Sequence, residues 1–243
     1  VEDKMKILAL DSSGIVASVA VVEDDTLLAE YTVNYKKTHS QTLLPMLDEI
    51  VKMTELDLES VDAIAVAAGP GSFTGLRIGS ATAKGLGLAL KKPLVAVPTV
   101  DALAYNLYDA QGLVCPVMDA RRKQVYTGIY KFENHQLVTV KEQWAAPMEE
   151  LIEELNERGE TVIFLGDGVP VFREMIQEKL KVPYSFAPAH LNKQRAAAVA
   201  ALGMIHYKEG RTETAEEHTP EYLRLSQAER ERAEREKAQK TEK

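Results

Sequence analysis

Cysteine is nearly missing from this chain of 243 residues: there is one, Cys115. A single cysteine excludes an internal disulfide framework and suits a reducing compartment. Its flanks, Leu113, Val114, Pro116 and Val117, are apolar, so a buried core thiol is expected and not a nucleophile. Histidine is also sparse. The five, His39, His135, His190, His206 and His218, never fall within five residues of one another. No His-x-x-x-His pair exists to set two zinc ligands on one helix face, so no metal site is expected. Aromatic residues make up 6% of the chain, and no apolar run reaches membrane-spanning length. No secretory leader precedes the first apolar run, and residues 1–4 read as preceding a natural start at Met5. Basic residues are outnumbered, 29 against 37 acidic, for a net charge of −8. That balance argues against unaided nucleic-acid binding through a broad basic face. A cytoplasmic protein is expected.

What is present is an α/β pattern that occurs twice. KILALDSS, residues 6–13, is an apolar strand delivering polar side chains at its end. Two further strands follow, near 15–22 and 27–35. THSQTLLPMLDEIVKM then switches to helical spacing, with Pro45 predicting a late start or a kink. AIAVAAG, 63–69, is a buried strand that enters a glycine-rich turn and a helix. A strand at 93–100 and a helix at 101–110 complete the set. The order recurs from LVCPVMDAR, 113–121, through strands at 124–132 and 136–144, a helix at 147–159, a strand ending in Gly-Asp-Gly at 166–168 and a helix at 171–180. A long alanine-rich helix spans 192–210. The first strand of each copy ends at an aspartate, Asp11 or Asp119, and the fourth at a glycine turn, Gly69 or Gly166.

A repeated β-β-β-α-β-α unit predicts a two-lobed fold of the actin, Hsp70 and sugar-kinase type. The expected lobes are residues 5–105 and 106–225, followed by a charged tail at 226–243 that reads as a solvated helix or frayed end. Such folds hold nucleotide between the lobes. Asp11, Ser12, Ser13, Gly69, Gly71, Ser72, Asp119, Arg121, Gly166 and Gly168 are the residues that would line that cleft. The first-strand turn reads DSSG, with serine where kinases of this fold carry a glycine that lets phosphate approach. A degenerate cleft with at most weak nucleotide binding is therefore expected, and no cofactor is required.

The most glycine-rich stretch, GPGSFTGLRIGSATAKGLGLAL at 69–90, poses a separate question. Gly75, Gly79, Ala83 and Gly87 recur every four residues and form one shallow stripe. Its three glycines cost a helix about 3 kcal/mol relative to alanine. Close approach by a partner's helices would offset that cost. The competing expectation is that the stripe packs on the chain's own sheet.

Together, LALDSS, HSQTLLPML, AVAAGPGSFTGLRIGSATAKGLGLAL, PVMDARRKQVY and PEYLR resemble the bacterial TsaB (YeaZ) proteins of tRNA threonylcarbamoyladenosine biosynthesis. The resemblance runs from about residue 5 to residue 225. It implies a non-catalytic paralogue of the threonylcarbamoyltransferase TsaD, which lacks that enzyme's paired metal-binding histidines. It also implies a chain that dimerises with itself, binds and activates TsaD with help from the ATPase TsaE, and meets tRNA only through the complex. The implied partner face lies on the helices near 39–53 and 74–90, with His39, Leu43, Leu47, Thr74, Gly75, Arg77, Gly79, Ala83 and Gly87 as candidate contacts. A small-molecule kinase of the same fold and, less well matched, a metal-dependent glycoprotease are the alternatives.

Overall fold

The computed structural model describes residues 4–35 and 38–224. Of the stretch before Met5, residues 1–3 lie outside the described residues, and so does the charged tail named above. The first lobe opens with an antiparallel meander, β1 (Lys6–Asp11), β2 (Ala17–Glu23) and β3 (Thr26–Val33). Helix α1 (His39–Thr54) leads to β4 (Ala63–Gly69), α2 (Phe73–Leu90), β5 (Leu94–Pro98) and α3 (Thr99–Tyr105). The second lobe repeats the plan with β6 (Leu113–Asp119), β7 (Gln124–Glu133), β8 (Gln136–Pro147), α4 (Met148–Arg158), β9 (Val162–Leu165), α5 (Val169–Lys179) and β10 (Tyr184–Phe186). Helix α6 (Ala196–Lys208) follows.

The two sheets share one topology, β3-β2-β1-β4-β5 and β8-β7-β6-β9-β10. In each, a meander is extended by two parallel strands, so the repeat seen in the sequence is a repeat in space. This is the two-lobed actin-like architecture. Alternation along the strands separates the core layers. Leu8 and Leu10 of β1 with Ile64 and Val66 of β4 face α1 and α2, while Ile7, Ala9, Ala63 and Ala65 face the opposite side. In the second lobe Leu113, Cys115 and Val117 face α4 and α5, and Val114 and Met118 face α3.

Two boundaries differ from expectation. Helix α6 packs on the first sheet: Ala196, Val199, Ala200, Leu202 and Met204 cover Ile7, Ala9, Ala65, Val95 and Val97. A Cβ on Gly203 would stand 2.7 Å from that of Ala65. Its small residues let it lie close on an alanine-rich sheet face, and Glu213 then pairs with Leu94 through two backbone hydrogen bonds of 2.8 and 3.0 Å. The second lobe is thus confined to about 113–186, and the division at 106–225 is corrected. Pro45 does not delay α1, which starts at His39. Gln41 and Pro45 are both exposed, so the carbonyl that loses its donor faces water.

Candidate functional site

The turn after β1 is folded in on itself. Asp11 is buried, and its Oδ1 accepts from both the backbone N–H (2.9 Å) and the hydroxyl (2.7 Å) of Ser13. Burial pushes this carboxyl up to about 6, against the two hydrogen bonds from Ser13 that pull it down. Ser12 Oγ donates to Gly75 O at 2.9 Å, and Ser72 N donates to Ser13 O at 2.7 Å. Ser72 also caps α2, its Oγ accepting from Gly75 N at 3.3 Å. Asp11, Ser12, Ser13, Gly71 and Ser72 therefore lie together, with Asp11, Ser13 and Ser72 bonded in a chain and Ser12 Oγ turned to Gly75.

The glycine stripe faces inward. A Cβ on Gly71 would stand 2.3 Å from Ser13 O, on Gly75 2.1 Å from Ser12 O, and on Gly79 2.5 Å from Ser12 Oγ. On Gly87 it would stand 2.9 Å from a Leu94 methyl, and Ala83 is fully buried in the core. Gly75, Gly79, Ala83 and Gly87 are packing residues that seat α2 on its own sheet and on the Ser12–Ser13 loop, so their assignment to a partner face is corrected. Leu43 and Leu47 are corrected with them: both belong to the buried cluster beneath α1. Helical spacing marks a stripe on each helix, and only the docking on the sheet decides which face turns inward.

Thr74 and Arg77 remain on the outer surface, and the Arg77 guanidinium lies 4.1 Å from the Phe73 ring centre. The outer surface of α2 also exposes Leu88, at 61%, with Ala81, Gly85 and Ala89 beside it. On α1, Leu44 at 53% and Met53 at 82% are exposed on opposite flanks, about half a helical turn apart. A Cβ on Gly85 would meet only open space, so nothing inside the protein demands glycine there. This second small-residue stripe escaped the sequence reading although its four-residue spacing was present. His39 is half-buried, with Nε2 2.8 Å from Gly14 O and Nδ1 without a partner among the described residues.

In the second lobe, Gly166 at φ +110° and Gly168 press on the end of β6, where Cβ atoms would stand 2.2 and 2.9 Å from Val117 O. Asp119 accepts from Arg121 N at 2.8 Å and pairs with the Arg121 side chain at 3.2 Å. Asp119 N donates to Asp167 Oδ1 at 3.2 Å. Burial raises the Asp167 carboxyl above its ordinary range. Arg121, Arg122 and Lys123 form three successive left-handed residues, at φ 66°, 54° and 60°. That conformation costs non-glycine residues roughly 1–2 kcal/mol each.

The connection from β10 to α6 crosses between the lobes. Gly166 N donates to Asn192 O at 2.9 Å, and Gln194, 1% exposed, lies on Gly14 with neither amide atom bonded to another described residue. Gly69, at φ +125°, is pressed by the C-terminal segment, since a Cβ there would stand 2.2 Å from Glu221 O. Asp167, Gln194 and Glu221 were missed from the sequence; a polar residue in a turn carries no mark of what will fold over it. Cys115 is buried, as expected, its thiol pushed up to about 12 by burial. Among the described residues no group of three or more His, Cys, Asp or Glu side chains is placed to hold a metal.

The family described as "TsaD: tRNA N6-adenosine threonylcarbamoyltransferase" matches residues 26–232. The tRNA threonylcarbamoyladenosine biosynthesis protein TsaB of Bacillus subtilis is 36% identical over 227 residues, covering 93% of this chain and 96% of that protein. Its namesake in Escherichia coli is 30% identical, covering 90% and 95%. Among solved structures, YeaZ from Pseudomonas aeruginosa superposes with a TM-score of 0.75 at 26% identity, covering 90% of this chain and all of that one.

Proposed function

This chain belongs to the TsaB (YeaZ) family and serves tRNA threonylcarbamoyladenosine biosynthesis, and from that premise we propose that it is a catalytically silent subunit which docks its catalytic paralogue through the outer face of α1 and α2. Gly85 is the observation that carries the proposal. It is a glycine in mid-helix with open space where its Cβ would be, flanked by exposed Ala81, Leu88 and Ala89. In a monomer such a residue costs the helix about 1 kcal/mol with no internal compensation. At an interface it admits a neighbouring backbone, and the exposed Leu88 beside it supplies apolar area to bury. The match to the TsaD family supports a partner of the same fold, so that one face serves both a self-paired dimer and a quasi-symmetric complex with TsaD. TsaE would join as the ATPase, and tRNA would be met through the complex, in the cytoplasm.

In this reading the chain needs no cofactor of its own. Supporting it, Ser12 and Ser13 turn their polar atoms to Gly75, Asp11 and Ser72. Flat calorimetry with Mg-ATP is the expected result for the isolated chain; tight binding that depends on Asp11 would favour a kinase-like enzyme.

The decisive test replaces Leu88 with glutamate, on the outer face. Light scattering should show a folded monomer that no longer binds TsaD. Nucleoside mass spectrometry on tRNA from depleted cells should show threonylcarbamoyladenosine restored by the wild type and not by Leu88→Glu. A variant that still pairs and still restores the nucleoside would place the docking face elsewhere.

A further inference from the structure

Residues 213–224 run from the first lobe to the second. After Glu213 pairs with Leu94, a turn is closed by Thr214 and Glu217, with Glu217 N donating to Thr214 Oγ1 at 3.2 Å and Thr214 N donating to Glu217 Oε2 at 3.0 Å. Beyond it, Glu221 N donates to Ala68 O at 2.7 Å, at the end of β4. Tyr222 stacks on Phe73, the first residue of α2, with ring centres 4.6 Å apart. The second lobe is gripped from the same few residues. Gln143 Nε2 of β8 donates to Glu221 Oε2 at 2.7 Å, and Arg224 Nη1 donates to Ala120 O, just past β6, at 2.7 Å. The segment thus makes a third crossing between the lobes, besides 106–112 and 187–195.

We propose that residues 219–224 are a releasable latch that holds the two lobes closed. Two observations support release as part of its design. The grip consists of a few hydrogen bonds and one aromatic stack, with Tyr222 itself exposed. Such contacts exchange readily with water, unlike an apolar core. Second, a pivot exists. Val100, Leu103 and Leu107 in and after α3 pack with Val114, Met118 and Tyr130 of the second sheet, an apolar seam that stays joined while the ends of β4 and β6 separate. Gly69 fits this picture: its missing side chain makes room for the Glu221 carbonyl, which seats the latch on the glycine turn.

The test reads the distance between the lobes in the whole chain. Spin labels at Asp25→Cys and Glu157→Cys, both exposed, report on the first and second lobes, while native Cys115 is buried and inert. Dilution with unlabelled protein restricts the dipolar signal to one chain. Tyr222→Ala with Arg224→Ala should broaden the distance distribution and shift it to longer values, with circular dichroism unchanged. A folded double variant with the wild-type distribution overturns the latch. Should the double variant unfold, hydrogen exchange on the wild type decides. The Glu221 amide should exchange at least about tenfold faster than that of Ala65 in central β4; exchange of both at the rate of global unfolding overturns the proposal.

Discussion

Burial raises the Asp11 carboxyl from its ordinary 3.8 to about 6, and that of Asp101, held by Tyr130 Oη at 2.7 Å, to about 6 as well. The folded state therefore binds each proton more tightly than the unfolded chain does. Their contribution favours folding most below the ordinary value and is lost as pH rises through about 6. Above that window the buried Asp11 charge costs about 3 kcal/mol, because each tenfold gain in proton affinity is worth ~1.4 kcal/mol. Asp11→Asn keeps an Oδ1 acceptor for Ser13 and removes the charge. It should stabilise the protein by roughly 1–3 kcal/mol at pH 8 and hardly at all at pH 4, as urea titrations at the two values would show. Gly79 gives the second expectation at this scale. Its Cβ direction is closed by Ser12 Oγ at 2.5 Å, so Gly79→Leu should unfold the lobe or cost several kcal/mol, a large overpacking penalty. A folded Gly79→Leu variant that merely loses its partner would restore the stripe to the interface.

At the scale of the element, α1 and α2 end alike. Glu55 and Lys91 each close a helix in the left-handed region, at φ 51° and 55°, where glycine is the favoured residue. Their N–H groups still reach Val51 O and Gly87 O, so the cap geometry is met and only the side chain is out of place. Glu55→Gly should raise stability by about 0.5–1 kcal/mol in urea titration, once the greater freedom of glycine in the unfolded chain is subtracted. The same helices show where reading by element reaches its limit. Helix α2 has two small-residue stripes, Gly75-Gly79-Ala83-Gly87 and Ala81-Gly85-Ala89, both at four-residue spacing. Periodicity reveals that stripes exist and is silent on which one meets the sheet. Leu43 and Leu47 of α1, interface candidates by the family resemblance, lie in that helix's buried stripe, while Leu44 and Met53 are exposed.

At the scale of the molecule, the chain leaves the first lobe after α3, builds the second, and returns. Without α6 the first sheet would expose Ile7, Ala9, Ala65, Val95 and Val97, now covered by Val199, Ala200 and Met204. A fragment of residues 5–105 should therefore fail to fold alone, and addition of a fragment spanning 187–224 should rescue it. Circular dichroism and a thermal melt of the two pieces, separate and mixed, would check both. A cooperative melt from 5–105 alone would show that α6 is dispensable.

Apart from the three-residue β10, local pattern along the chain gives the strands, the doubled order of elements, the aspartate and glycine turns at matching points, the buried thiol and the family. These follow from local periodicity, turn chemistry and motif, which act within about twenty residues of the chain. Packing in three dimensions settles which stripe of α2 faces the sheet, that α6 belongs to the lobe built first, and that Glu221 sits on Gly69. Each of those is a contact between distant segments, such as Gly203 with Ala65 or Ser12 with Gly79. Such contacts are chosen by which surfaces bury together, and no local pattern records that choice.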